Sequence, residues 1–184
     1  MTDLFAKLLK VSLLTLLTYL LQVTVAPVID IGGVAPNLAL ALIAVVTVCM
    51  GRKYAFMMSL AVGYLIEIMV PALDYINLIL YPVCAMLGAL VFSDKSERKL
   101  EEERAQGKRA RQWNPHVRTP LCAAVSTAVF EGVNLVYIYL SGVTLDAQHL
   151  GSVLFDVAYT ALLCAALQFP IRWWMGTYRL RKAR

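Results

Sequence analysis

Apolar residues run in six long stretches, separated by short polar or proline-containing breaks. The first covers about Leu8–Val25 and stops at Pro27. The second covers about Pro36–Met50, and the charged turn Gly51-Arg52-Lys53 separates it from the third, about Tyr54–Val70, which Pro71 ends. The fourth covers about Ile76–Phe92, the fifth about Thr119–Leu140 and the sixth about Leu150–Phe169, with Pro170 at its end. An α-helix needs about 20 apolar residues to cross the hydrocarbon of a bilayer. The pattern therefore predicts an all-α, polytopic bundle of six transmembrane helices, forming one domain over residues 1–184.

The polar positions inside these stretches repeat at helical spacing. Ser59, Gly63 and Glu67 are four apart on the third, and Thr127, Glu131 and Asn134 share a face of the fifth. Ser152, Asp156, Thr160, Cys164 and Gln168 form an i, i+4 line on the sixth. Thr15, Thr18 and Gln22 mark the first, and Asn77, Tyr81 and Gly88 the fourth. An acid at mid-membrane costs about 2.5–3.5 kcal/mol on insertion scales. Glu67, Glu131 and Asp156 are therefore expected to face the bundle interior, with no basic residue inside a span to pair with them. Two uses fit: hydrogen bonding between helices, or an outward-facing polar cavity or partner-docking face built around Glu67, Glu131, Asp156, Asn134, Asn77 and Gln22.

Composition agrees with lipid as the solvent. Hydrophobic residues make up 60% of the 184 and charged residues 16%, where soluble domains average about 45–50% and about 25%. The spans leave no room for a second folded domain. The net charge of +5 could suggest nucleic acid, but no basic patch with interleaved aromatics is present. The charges are sorted instead. Lys7 and Lys10, Arg52 and Lys53, eight basic residues within Ser93–Arg118, and five from Arg172 to Arg184 account for all 17. These segments lie on one side of a six-span chain. The opposite loops carry no Lys or Arg, only the acids Asp30, Asp74 and Asp146, the last of them followed by His149. Positive charge is retained in the cytoplasm, so both termini, the charged loop 93–118 and the basic tail 171–184 are expected there. Trp113, Trp173, Trp174 and Tyr178 fit an interfacial aromatic belt.

The charged loop has opposite charges four apart at Arg98/Glu102 and Lys99/Glu103. That spacing suits a solvated helix, and a flexible linker is the other reading. Lys7 and Lys10 before an apolar run give the start the shape of a signal peptide, but Thr24-Val25-Ala26 is a weak cleavage site and a retained first helix is expected. Cys49, Cys84, Cys122 and Cys164 are scattered through apolar runs, as small hydrophobes are. His116 and His149 lie in loops, and no metal-ligand spacing, P-loop, GxGxxG or GxSxG occurs. No catalysis, cofactor or metal is expected.

Three stretches resemble the bacterial rod shape-determining protein MreD family. LLTYLLQVTVAPVIDIGGVAPNLALALIAVV, from Leu16 to Val46, looks like that family's first hairpin, with Pro36-Asn37 where a Pro-Asp or Pro-Asn opens a Leu-rich helix. GYLIEIMVPALDYINLILYPVCAMLGAL, Gly63–Leu90, is similar to a stretch with Gly-x-x-x-Asp, here Gly63 and Glu67 with a carboxylate one methylene longer. YTALLCAALQFPIRWW, Tyr159–Trp174, resembles the last helix and its proline-then-arginine exit at Pro170. The resemblance implies a non-catalytic scaffold of the cell-elongation machinery in the bacterial cytoplasmic membrane. It implies MreC as a membrane partner and indirect control of the peptidoglycan synthases of the side wall. A second resemblance, to the S component of energy-coupling-factor vitamin transporters, implies a similar six-helix fold with the acids as ligand contacts. That group's first span usually carries Ala-x-x-x-Ala; here only Ala6 and Ala26 stand at the edges.

Overall fold

The computed structural model describes residues 2–69, 75–92, 105, 114–143 and 146–176. Six α-helices are formed there: α1 (Thr2–Leu20), α2 (Leu38–Met50), α3 (Arg52–Met69), α4 (Ile76–Phe92), α5 (Pro115–Leu140) and α6 (Ala147–Met175). The described residues contain no β-strand, only an isolated bridge between Ile31 and Val34 in the loop after α1. Three helical stretches, Phe5–Val25, α5 and α6, are long and apolar enough to cross a bilayer, and they mark the chain as a membrane protein.

The architecture is one helix sheathed by five. Every residue from Leu38 to Val48 of α2 is buried, and all five other helices pack against it. A helix that is apolar all round has no face to give to water. The sheathing helices turn one face inward and leave the other apolar and exposed. On α1, Val11, Leu14 and Thr18 are buried, while Leu9, Leu13 and Leu16 are exposed. On α6, Asp156, Thr160, Cys164 and Gln168 are buried, while Leu154, Leu162 and Phe169 are exposed. This inside-polar, outside-apolar pattern is the one a bilayer favours.

α2 departs from the expected full-length span. Its 13 residues rise only about 20 Å, against about 30 Å of hydrocarbon. Pro36 and Asn37 stand before the helix, with Asn37 as its cap. Its first turn therefore opens inside the protein, among side chains of its neighbours.

The expected termination of the last span at Pro170 is corrected. α6 runs through Pro170 to Met175 and closes at Gly176, whose φ of 73° is the left-handed conformation that glycine adopts without strain. Proline inside a helix removes one backbone bond. Ile171 and Arg172 just beyond it are buried, and Arg172 bonds to α5, which holds the extra turn in place. The 171–184 segment therefore opens as helix. α5 likewise starts earlier than expected, with Pro115 at its first position. As a result Arg118 and Arg172 lie inside helices and are buried, at 6% and 5% exposure. The expectation that no basic residue enters the helical bundle does not hold at this end. Most of the charged loop, including the Arg98/Glu102 and Lys99/Glu103 pairs, lies outside the described residues, as do Asp74, Trp113 and Tyr178.

Candidate functional site

The buried first turn of α2 is where the polar side chains gather. A helix opens with four backbone N–H groups that have no partner within it. In lipid each must be satisfied by protein. Here the Asn37 N–H donates to the Thr160 hydroxyl at 2.9 Å, and the Leu38 N–H to the Pro36 carbonyl at 3.0 Å. The Ala39 N–H donates to Gln22 Oε1 at 2.9 Å, and the Leu40 N–H to Asn37 Oδ1 at 3.0 Å. Gln22 reaches this turn from the end of α1, where Leu21–Val25 widens into a π-helical turn closed by the Ala26 N–H on the Leu21 carbonyl. Thr160 passes the link on: its hydroxyl donates to Asp156 Oδ1 at 3.0 Å. The Tyr81 hydroxyl of α4 bonds the Asn37 side chain. Four segments thus meet at one buried helix start, and Gln22, Asn37 and Asp156 are brought together. The loop after α1 is tied down beside them by Tyr159, whose hydroxyl donates to the Ile29 carbonyl at 2.9 Å.

Glu67 and Asn77 form a second, separate group. Glu67 Oε1 accepts from the Tyr75 N–H at 3.1 Å, and Oε2 from the Asn77 N–H at 2.9 Å. The carboxylate therefore caps the start of α4, where a negative charge also meets the positive end of the helix dipole. Gly63, one turn earlier on α3, makes that reach possible. A β-carbon there would sit 2.7 Å from the Asn77 carbonyl oxygen.

Glu131 and Asn134 form a third group on α5. Both are half-buried, and the Asn134 amide donates to Glu131 Oε1 at a long 3.5 Å. Glu131 is near enough to Asp156 for their charges to act on each other. Pro170 is exposed on α6.

At the other end of the α5–α6 pair lies a group that the sequence alone did not single out. Pro120 lacks an N–H, so the His116 carbonyl loses its helical donor. The Gln168 amide of α6 donates to that carbonyl at 3.2 Å. Arg172 donates to the Pro115 carbonyl at 3.2 Å and to the Thr119 hydroxyl at 2.8 Å. Proline at 120 with a glutamine on the facing polar line was the available signal, readable only once the helices are paired.

Among the described residues no group of three or more His, Cys, Asp or Glu gathers. Chemically, the polar interior is a set of helix caps and interhelical bonds, with Glu131 the least engaged of its acids. No protein-family model, no curated protein and no solved structure matches this chain.

Proposed function

We propose that this chain is a non-catalytic membrane scaffold of the MreD kind. In this reading six helices cross the bacterial cytoplasmic membrane and both termini are cytoplasmic. The chain binds MreC and, through it, regulates the peptidoglycan synthases that build the side wall and set rod shape.

One observation carries the reading. The Gly63–Glu67 pair, at the position of the family's Gly-x-x-x-Asp, clamps α3 to the start of α4. That use of a carboxylate explains why aspartate or glutamate would serve there, and it is architectural. The caps on α2 are of the same kind. A bundle whose interior acids join its own helices suits a protein that presents fixed surfaces to a partner. All 17 basic residues fall in the termini, the turn at Arg52-Lys53, the charged loop and the adjoining helix ends, where Arg118 and Arg172 are buried, and this one-sided placement supports the orientation. The exposed apolar faces of α1, α5 and α6 supply the surface on which a partner helix would lie.

Affinity purification from native membranes, followed by mass spectrometry, tests the assignment. MreC should be recovered with the chain. Recovery of energy-coupling ATPases in its place would end the scaffold reading and favour the S-component alternative. Labelling of cysteines introduced in 93–118 tests the orientation: modification from outside intact cells would overturn it.

A further inference from the structure

The start of α6 is closed by a side chain of a different kind from those at the other helix starts. Asp146 is the N-cap residue of α6, and His149 is the third residue of the helix. The His149 N–H donates to the Asp146 carbonyl at 3.0 Å. In return the Asp146 N–H donates to His149 Nδ1 at 3.4 Å. The pair forms a capping box, in which the third residue reaches back to the N–H of the cap. That third residue is usually Glu or Gln, which offers an oxygen. The starts of α2 and α4 also use side-chain oxygens, from Asn37 and from Glu67. An amide oxygen accepts at any pH, and a carboxyl keeps acceptor capacity when it is protonated. An imidazole nitrogen accepts only while it carries no proton. The cap on α6 is therefore conditional in a way that the other two are not.

The surroundings leave the ring free to respond. His149 is exposed, so protons reach it from water. With Leu135, Asp146, Ala147 and Leu150 it lines a cavity of about 240 Å³ between the ends of α5 and α6. The charged group beside it on its own helix is Asp146. On α5 the residue that meets the cavity is Leu135, with the titratable Glu131 and Tyr139 one turn to either side. A proton on Nδ1 would set one N–H against another and place a cation at the positive end of the α6 dipole. The Asp146 carboxylate attracts that cation, and water is open to it. Both draw the ring off the Asp146 N–H.

We propose that His149 is a pH-sensitive latch at the outer end of the α5–α6 pair. While neutral, the ring closes the first turn of α6 and forms one wall of the cavity. When protonated, it releases the Asp146 N–H and leaves that wall. A histidine changes charge between about pH 5 and about pH 8. The latch is thus closed at the upper end of that range and opens as the pH falls through it. It does not depend on the partner assignment; its exposure to the pH of the outer medium rests on the orientation proposed above.

The test uses the full chain in nanodiscs of zwitterionic lipid, labelled with ¹⁵N at histidine and aspartate, and followed by NMR from about pH 8 to about pH 5 at constant ionic strength. The expected result is an upfield shift of the Asp146 amide proton as its bond is lost, along the same curve as protonation of the His149 ring. The other histidine, His116, is told apart by the ring signal that disappears in the His149 variants. His149→Gln keeps an acceptor at every pH and should hold the Asp146 signal constant. His149→Ala should show the released position throughout. Because His149 is exposed, neither change threatens folding. Two outcomes would overturn the proposal: an Asp146 amide that stays put while the ring titrates, or the same pH dependence of that amide in His149→Gln as in wild type.

Discussion

The α3–α4 and α5–α6 pairs each place acids among apolar helices, and they use them differently. In α3–α4 the carboxylate of Glu67 takes two backbone N–H groups, and the helices touch so closely at Gly63 that no side chain fits between them. In α5–α6 the Glu131 carboxylate has one long bond to Asn134, and a β-carbon added at Gly132 beside it would meet no other element within 4 Å. The first pair is closed at its acid and the second is open. An acid in a membrane protein is therefore not one kind of signal; whether it caps a helix or remains available depends on how near the neighbouring backbone comes.

The largest effect should come from filling the closed pair. Gly63→Val would drive a branched side chain into the Asn77 carbonyl, which belongs to a helix start and cannot yield cheaply. A loss of about 3 kcal/mol or more is expected. The matched change in the open pair, Gly132→Val, should stay within about 0.5 kcal/mol. Thermal unfolding of both variants in detergent measures the contrast, and equal losses would remove it.

Next in size is the central helix. Gln22→Leu leaves the Ala39 N–H without its acceptor in a buried site. The expected loss is about 1–3 kcal/mol. Faster hydrogen exchange at the first turn of α2, with the end of the helix at Met50 unaffected, would locate the damage. Glu67→Gln should cost somewhat less, about 1–2 kcal/mol, because one carbonyl oxygen remains for one of the two N–H groups while the amide nitrogen faces the other donor.

How far the sequence disclosed these differences follows from what each feature depends on. The six helices were legible, since apolar runs bounded by Pro27, Gly51 and Pro71 depend only on local chain chemistry. The inward face of α6 was legible too, because Asp156, Thr160, Cys164 and Gln168 repeat every four residues. The central position of α2 was not. Its 13 residues, apolar but for Thr47, carry no periodicity to say which way they face. Pro170 misled because proline usually ends a helix, and the anchor that carries α6 past it, Arg172 on Pro115 and Thr119, joins residues more than 50 positions apart. Polar stripes pointed to Glu67, Glu131 and Asp156 alike, and only the spacing of helices separates a cap from an idle carboxylate.

The smallest change expected of an acid is also the one that sharpens the comparison most. Glu131→Gln in the open pair removes a charge that makes only the 3.5 Å contact with Asn134. It should shift stability by less than about 1 kcal/mol, in either direction, since one long bond is all that the change gives up. Glu67→Gln in the closed pair should be destabilising under the same conditions. A double variant should show additive losses, because the two acids sit in separate groups with no shared partner. Strong coupling between them would mean that the closed and open pairs move together as a single unit, and that the two carboxylates differ in degree of packing and not in kind.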